Sequence, residues 1–219
     1  MRLAFVSAEM APFVQVGGLG DVTRWLPRAL ASGGDDVAVF LPAYDVLDPR
    51  GLPVRAVPGI GEVSLGPLGS AGLLTLGDPA PGLPTVYLVD APQWFHAGAV
   101  YPDREDHVRF AALSAAVPAL CAALGWVPDV VHANDWHTGL TALYLARAGE
   151  PWSSLPVVFT VHNLAYQGVF PAGDLPRLGL EDCAGRFDAG DLAGGWLNSL
   201  KTGIATAAVV TTVSPTFAR

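Results

Sequence analysis

The stretch LAFVSAEMAPFVQVGGLGDVTRWLPRALASGGDDVAVFLP, residues 3–42, carries the pattern that decides the fold. Its start, Leu3–Val6, is a short continuous apolar run, which is typical of a strand covered by helices on both faces. Helical character follows over Asp21–Ala31, where Pro27 predicts either a kink or a late helix start. A glycine pair and a second buried run, Val37–Leu41, come next. The stretch therefore predicts a right-handed β-α-β unit with parallel strands.

The same alternation continues along the rest of the chain. Buried-strand patterns recur at Thr85–Val89, Asp129–His132, Val157–Val161 and Val209–Val213. Helices are predicted from the acids Asp103, Glu105 and Asp106 onward, over Leu140–Arg147 and over Trp196–Ala207. The Gly- and Pro-rich stretch from Asp48 to Pro84 predicts small strands or hairpins at the sheet edge. The predicted fold class is α/β, one Rossmann-like domain over residues 1–219, with a doubly wound, mainly parallel sheet and a small hairpin-rich insertion.

Charge and composition exclude several kinds of partner. The chain carries 20 acids against 12 bases, a net charge of −8, so no basic stripe indicates nucleic-acid binding. No signal-peptide core precedes Glu9, and no apolar stretch reaches the roughly 20 residues that a bilayer span needs. Cys121 and Cys183 are too few for a disulfide framework. We therefore expect a cytoplasmic protein with reduced thiols and no membrane insertion.

Polar clusters follow three of the predicted strands, where open α/β sheets bind ligands. In the first cluster, Glu9 precedes a glycine group of spacing G-G-x-G, which differs from the dinucleotide fingerprint G-x-G-x-x-G. Backbone N–H groups of Gly17 and Gly18 at a helix start can approach an anion or a sugar closely. Asp21 either caps the helix or accepts hydrogen bonds from a sugar hydroxyl, and an ordinary capped loop is the alternative.

The second cluster, HANDWH, spans residues 132–137. His132, Asp135 and His137 are all metal-ligand types, but the alternation along a strand would turn His132 away from Asp135. Two other interpretations remain open. His132 would be a satisfied core histidine, or the segment from Asp135 through Trp136 to His137 would form an edge that binds carbohydrate. In that edge the carboxylate would pair with vicinal hydroxyls and the aromatic ring would stack on a pyranose.

The third cluster is TVHNLAYQG, residues 160–168. The preceding strand would deliver His162 and Asn163 to its carboxyl end, and the following loop, with Tyr166 and Gly168, does not have the pattern of core. These features favour a functional role for His162 and Asn163.

Taken together, the motifs VGGLGDV, HANDWHTGL, FTVHNLAYQG and TTVSPTFAR resemble the bacterial glycogen synthase and plant starch synthase family, in order and in spacing. The resemblance covers essentially the whole chain. It implies the N-terminal, acceptor-side half of a two-domain GT-B glycosyltransferase of family 5, with the second, nucleotide-sugar-binding domain outside this chain. Such an enzyme transfers glucose from ADP-glucose to the non-reducing end of an α-1,4-glucan, with retention, and requires neither a metal nor a cofactor.

The resemblance also implies roles for individual residues. His162 and Asp135 would be catalytic, with the backbone carbonyl of His162 stabilising an oxocarbenium-like transition state. The donor and its sugar would contact Gln15, Gly17, Gly18, Asp21 and Asn163. The acceptor would contact Glu9, Trp136 and His137. Because Lys201 is the only lysine and no arginine falls within the three clusters, cations from the missing domain would have to neutralise the diphosphate.

One position departs from the family pattern: Gln15 stands where lysine is common, in K-x-G-G-L. Loss of the ammonium would weaken donor binding about tenfold if nothing compensates. Two rival functions stay open at the sequence level, and only the first of them is motivated by Gln15. One is a stand-alone glucan-binding module without transferase activity, and the other is a metal-dependent hydrolase that uses His132, Asp135 and His137.

Overall fold

The computed structural model of the chain describes residues 1–78, 80–102, 105–216 and 218. Within these residues the strands are β1 (Arg2–Val6), β2 (Asp36–Pro42), β3 (Val54–Ala56), β4 (Val63–Ser64), β5 (Ser70–Leu76), β6 (Thr85–Asp90), β7 (Val130–Asn134), β8 (Val157–Val161), β9 (Val169–Pro171), β10 (Trp196–Asn198) and β11 (Val209–Thr212). The helices are α1 (Gly18–Ser32), α2 (Pro92–Phe95), α3 (Asp106–Ala123), α4 (Thr141–Arg147), α5 (Leu175–Leu178), α6 (Ala189–Ala193) and α7 (Ser199–Thr206). Five short 3₁₀ turns join them in this part of the chain.

The described residues build one nine-stranded sheet in the order β11-β8-β7-β1-β2-β6-β5-β3, with β4 paired to β5. Strands β11 through β6 are parallel, and β5, β3 and β4 are antiparallel. This is the predicted mainly parallel α/β sheet. The antiparallel strands come from the Gly- and Pro-rich stretch, so the prediction of small edge strands there is confirmed.

The middle of the sheet is buried, and helices α1 and α3 pack on β2 while α7 packs on β8. Phe5 and Phe40, on the neighbouring strands β1 and β2, are at most 1% exposed. Of the 18 residues of α3, 13 are buried, among them Phe110 and Leu113. The acids expected to open this helix lie at its start: Glu105 is the N-cap and Asp106 the first helical residue, while Asp103 lies outside the described residues.

Helix α1 begins at Gly18, three residues before its predicted start, so a late start is wrong. It also continues across Pro27 to Ser32. The first turn of α1 packs tightly on the preceding loop: the backbone N–H of Ala11 donates to the Gly20 carbonyl, and a Cβ on Gly20 would lie 2.9 Å from Cγ of Gln15. The N-cap is Gly17, so the interpretation of Asp21 as the cap is wrong.

The predicted helix over Trp196–Ala207 is also wrong in its first turn. Trp196–Asn198 forms β10, which pairs antiparallel with β9, and the helix begins only at Ser199. The side chain of Asn198 caps it by accepting a hydrogen bond from the N–H of Lys201 at 2.9 Å. Among the described residues, no helix combines the length and the apolar character that a membrane crossing needs.

Candidate active site

The carboxyl ends of β1, β7, β8 and β11 meet at a cavity of about 650 Å³, a size common for small-molecule sites. Residues from all three polar clusters line it. The lining consists of Glu9, Val16, Gly17, Gly18, Leu19, Val22, Tyr101, Asp106, Asp135, Trp136, His137, His162, Asn163, Tyr166 and Val213. The structure thus brings together side chains that are up to about 200 positions apart in the sequence.

Glu9 organises the glycine loop. Its carboxylate accepts hydrogen bonds from the backbone N–H groups of Val16 at 2.7 Å and Gly17 at 2.9 Å. The Tyr101 hydroxyl donates to the other oxygen at 2.5 Å. Glu9 is buried, and its burial is acceptable because these donors satisfy both carboxylate oxygens. Glu9 therefore lies at the cavity with its carboxylate already engaged by the protein.

Tyr101 is held in place by a buried arginine. Arg109, on α3, donates to the carbonyls of Trp94 at 2.6 Å and Val100 at 3.0 Å, and pairs with Asp106 at 2.6 Å. These bonds fix the loop that ends next to Tyr101. Burial, followed by the nearby Glu9 carboxylate, raises the pKa of the Tyr101 phenol, so it remains a proton donor to Glu9.

Gln15 and Asp21 lie beside the cavity but do not line it. Gln15 Nε2 donates to the Asp21 carboxylate at 3.0 Å and to the Gly17 carbonyl at 3.2 Å. Both side chains are exposed, and Gln15 lines a separate groove together with Arg24 and Arg50. Of the first cluster, Glu9 and the glycines form the cavity wall, while Gln15 and Asp21 form a pair on its outer side.

Asp135 occupies an unusual backbone conformation at the end of β7, with φ 60° and ψ 179°. This region is essentially restricted to glycine and costs about 1–3 kcal/mol for other residues. The carboxylate accepts a hydrogen bond from the backbone N–H of His162 at 3.3 Å. Burial is the main cause that raises the pKa of Asp135, to about 6, and the backbone N–H groups of His162 and Asn163 oppose it. The strand end therefore holds a buried carboxyl group that titrates near neutral pH.

His162 lies at the end of β8 and contacts the end of β7. Its Nε2 is 3.1 Å from Oδ1 of Asn134, a residue that is 1% exposed. Burial lowers the pKa of His162 to about 4, although the Glu9 carboxylate acts in the opposite sense, so the ring is neutral at pH 7. Asn163 follows, and its side-chain oxygen accepts a hydrogen bond from the N–H of Ala165 at 2.9 Å.

His137 is enclosed by aromatic rings and keeps one unsatisfied polar atom. It stacks on Tyr101 at 4.9 Å between ring centroids and meets Phe110 edge-on at 4.7 Å. Its Nδ1 is buried and has no hydrogen-bond partner among the described residues. Burial lowers the pKa of His137 to about 3. Because buried polar atoms are nearly always paired, this unpaired nitrogen carries a desolvation cost that the protein itself does not offset.

The packing of the Trp136 ring explains why residue 168 is a glycine. The Trp136 ring packs so closely on the loop after β8 that a Cβ on Gly168 would lie 2.3 Å from Cε3 of the indole. Gly168 also has φ +60°, which other residues rarely adopt. Tyr166, in the same loop, is 68% exposed and lines the cavity. The cavity wall thus contains the Trp136 ring from the segment after β7, held by packing on Gly168, and the exposed Tyr166 ring from the loop after β8.

His132 takes no part in the cavity. Its Nε2 lies 2.6 Å from the Thr160 hydroxyl, and its ring packs on Phe5 with centroids 4.4 Å apart. His132 is thus the satisfied core histidine that the sequence left open. Over the described ranges, with their gaps at 79, 103–104, 217 and 219, no group of three or more His, Cys, Asp and Glu side chains could hold a metal ion. The hydrolase hypothesis that relied on His132 is therefore wrong.

Two residues of the site were missed from the sequence. Tyr101 lies in an irregular stretch 92 positions from its partner Glu9, and no local pattern connects them. Asn134 is part of the second motif, but only the pairing of β7 with β8 shows that it reaches His162. For Asn134, the available signal in the sequence was a polar residue at the end of a predicted buried strand.

The fold and the cavity define an α/β protein that binds a small molecule at the carboxyl ends of its parallel strands, and comparison with known proteins identifies the family. The sequence profile of the starch synthase catalytic domain matches residues 2–219. The chain belongs to this family.

Several relatives can be compared directly. The glycogen synthase of Paramagnetospirillum magneticum is 40% identical over 230 residues, and that of Lacticaseibacillus casei is 34% identical over 230 residues. Each comparison covers 100% of this chain and 46% of the relative. The catalytic domain of starch synthase IV from Arabidopsis thaliana, solved bound to ADP and acarbose, superposes with a TM-score of 0.85 at 32% identity, over 99% of this chain and 45% of that one. The chain therefore spans about half the length of these relatives, and its fold closely matches that of the corresponding part of a GT-B starch synthase catalytic domain.

Proposed function

We propose that this chain is the acceptor-side half of a retaining glucosyltransferase, which transfers glucose from ADP-glucose to the non-reducing end of an α-1,4-glucan. The observation that carries the proposal is the cavity itself. It combines a neutral histidine with an unpaired buried nitrogen, a carboxyl group that titrates near pH 6, and an exposed tyrosine ring. Such groups suit the hydroxyls and the apolar faces of sugars. The family membership and the ADP and acarbose of the Arabidopsis structure support it.

Each side chain has a proposed task. Asp135 and His162 would contact the reacting sugar, with Asp135 accepting hydrogen bonds from hydroxyls and His162 lying against the transferred glucose. Trp136 and His137 would contact the acceptor, while Gly17, Gly18 and Asn163 would contact the donor. Glu9 would act on ligands mainly by holding the glycine loop, because protein donors already occupy its oxygens. Gln15 and Asp21 would reach the donor only from the outer side of that loop.

The charge of the leaving group sets a further requirement. The described residues that line the cavity include three acids and neither lysine nor arginine. A departing nucleoside diphosphate needs positive charge nearby, since such stabilisation supplies much of the rate enhancement in group transfer. We propose that the cations come from a second domain in cis, within the length that the relatives carry beyond this match. No cofactor or metal enters the scheme.

We also propose a cytoplasmic location. Cys121 is buried and Cys183 half-buried, and both are free thiols in the structure, which suits a reducing compartment. Burial raises the pKa of the Cys121 thiol to about 12, so that residue is unreactive at neutral pH.

A chimera tests the proposal. Residues 1–219 are joined to the remaining half of the Paramagnetospirillum relative, and transfer from radiolabelled ADP-glucose to glycogen is measured, with the intact relative as a positive control. We expect transfer by the chimera and negligible transfer by residues 1–219 alone. An inactive chimera that folds would contradict the proposal, and robust transfer by the chain alone would contradict the need for a second half.

The rival proposal of a glucan-binding module has a different outcome in the same experiment. Calorimetric titration with maltohexaose measures binding without any turnover. Binding together with an inactive, folded chimera would favour the binding module. Binding and transfer together would favour the enzyme.

A further inference from the structure

Asn134 joins the ends of three strands. From the end of β7, its side-chain Nδ2 donates to the carbonyl of Val6 at 3.1 Å and to the carbonyl of His132 at 3.3 Å. Its Oδ1 lies 3.1 Å from Nε2 of His162. Asn134 is 1% exposed, so water offers no alternative partners. Every polar atom of the amide is thus used inside the protein.

The two carbonyl partners settle the orientation of the amide. Carbonyl oxygens only accept hydrogen bonds, so the NH₂ group must face Val6 and His132. The amide oxygen then necessarily faces His162, and an amide oxygen can only accept. The proton of this hydrogen bond must therefore be on Nε2 of the imidazole.

The other ring nitrogen of His162 is left as an acceptor. A neutral imidazole carries one N–H and one lone pair, so a ring protonated at Nε2 presents its lone pair at Nδ1. Burial lowers the pKa of His162 to about 4, which favours the neutral ring at pH 7. Within the described part of the chain, Nδ1 has no hydrogen-bond partner and is not buried, and His162 lines the cavity.

We infer that Asn134 is a positioning residue that locks His162 in the Nε2–H tautomer, so that the site selects a ligand group that donates a hydrogen bond to Nδ1. A sugar hydroxyl donates, whereas a phosphate or carboxylate oxygen can only accept and would face the lone pair unfavourably. The tautomer follows from the protein alone. The identity of the donating group as a hydroxyl of the transferred sugar rests on the proposed function.

The tautomer can be measured directly on the 219-residue chain. In long-range ¹H–¹⁵N correlation spectra, a protonated ring nitrogen and a lone-pair nitrogen give well-separated ¹⁵N shifts. The His162 signals are assigned by their absence in His162→Gln. At pH 7.5 we expect Nε2 protonated and Nδ1 unprotonated, and the reverse assignment in the wild-type protein would overturn the inference without any variant.

Variants test the role of Asn134. In Asn134→Ala the acceptor is gone, so we expect the His162 spectrum to move toward a mixture of tautomers. The matched control is Asn163→Ala, which removes an amide from the same cavity that does not contact the His162 ring, and it should leave the tautomer unchanged. His107, whose Nε2 pairs with Asp174 at 2.9 Å, serves as an internal reference. An unchanged tautomer in Asn134→Ala would overturn the role of Asn134.

Kinetics of the chimera test the ligand group. Asn134→Ala should lower kcat/KM for ADP-glucose by about tenfold, the effect of one misplaced hydrogen bond. One monodeoxy analogue of the donor, which lacks the hydroxyl that meets Nδ1, should show no further loss in the variant. Equal losses for all monodeoxy analogues would overturn the hydroxyl assignment. Because the spectra need no turnover, failure of the proposed function and failure of the tautomer lock give different results.

Discussion

Asp135 combines two unfavourable features in one residue: a backbone conformation that favours glycine and a buried carboxyl group. Neither feature contributes to stability, and both hold the carboxylate against the N–H of His162 at the cavity wall. Strain and burial of this kind concentrate where a protein handles ligands. At this position the structure favours function over stability.

Replacement of Asp135 by Asn should stabilise the fold at neutral pH. The pKa of the carboxyl is raised from 3.8 to about 6 in the folded state, so the native protein binds this proton more tightly than the unfolded chain does. Ionisation above pH 6 therefore destabilises the native state, by about 3 kcal/mol when complete. Asn avoids that penalty. We expect Asp135→Asn to be more stable than wild type by up to about 3 kcal/mol at pH 7.5 and by only about 1 kcal/mol at pH 4.5.

Urea unfolding at the two pH values measures this difference. The matched control is Asp21→Asn, the same substitution at an exposed carboxylate whose donor Gln15 can also serve an amide oxygen. It should show little change at either pH. A destabilised Asp135→Asn at pH 7.5 would mean that the N–H groups around the carboxylate outweigh its burial.

The sequence predicted this site unevenly at the residue scale. Motif residues such as Asp135, His137 and His162 could be found because each follows a predicted strand. Tyr101 could not, since its hydrogen bond to Glu9 spans 92 positions and depends on a loop that Arg109 holds. The family resemblance implied that Gln15 and Asp21 contact the donor, but a sequence motif carries no information on which side of a loop a side chain faces.

At the scale of elements, glycines control how closely helices approach the sheet. Gly203, in α7, faces the ring of Phe159 on β8, and a Cβ there would lie 2.5 Å from Cζ of the phenyl. Phe159 is 1% exposed and has no free space to move into. The contact between α7 and β8 therefore depends on the missing side chain, and β8 carries His162 at its end.

Gly203→Ala should destabilise the protein although alanine favours helices. In an isolated helix, replacing glycine with alanine stabilises the helix by about 1 kcal/mol. In this protein the added methyl group would overpack the contact with Phe159, which costs about 1–3 kcal/mol. We expect a net loss of stability in thermal unfolding and a shift in the environment of His162. Gly173→Ala is the control, because a Cβ there meets nothing within 4 Å. Equal melting temperatures for Gly203→Ala and wild type would show that α7 moves away without cost.

Elements were predicted well where one sequence segment contains the whole signal. The strand at Val157–Val161 matches the structure residue for residue, because a buried parallel strand is a continuous apolar run. The first turn of the Trp196–Ala207 prediction failed, since Trp196–Asn198 is a strand only through its pairing with Val169–Pro171. Tertiary pairing overrides local preference in such short strands.

At the scale of the whole molecule, parallel topology explains why distant motifs converge. Strand β1 lies next to β7 in the sheet, and β7 next to β8, although β1 is more than 120 positions from both along the chain. Parallel strands end at the same edge, so each motif that follows one of these strands reaches the same cavity. The convergence follows from the predicted fold class, whereas the exact partners within the cavity required coordinates.

The burial of three histidines makes the stability of the fold sensitive to acid. His132, His137 and His162 are neutral in the native protein, and burial lowers their pKa values to about 4, 3 and 4, against 6.5 in the unfolded chain. Between pH 6.5 and about 4, these three histidines therefore bind protons in the unfolded chain but not in the native state. Each histidine then costs about 1.4 kcal/mol of unfolding free energy per pH unit, and the raised pKa of Asp135 offsets about one of the three.

We therefore predict that the free energy of unfolding falls by about 3 kcal/mol per pH unit near pH 5. Urea unfolding at half-unit steps from pH 7 to pH 4.5 gives this slope. His137→Gln should reduce the slope by about one third to one half, whatever its effect on stability at pH 7. The slope depends only on the difference in bound protons between the unfolded and native states, not on lost contacts. The control His96→Gln changes an exposed histidine and should leave the slope unchanged. A free energy of unfolding that instead rises as the pH falls, by about 1 kcal/mol per pH unit from Asp135 alone, would show that the three rings take up protons in the native state as readily as in the unfolded chain.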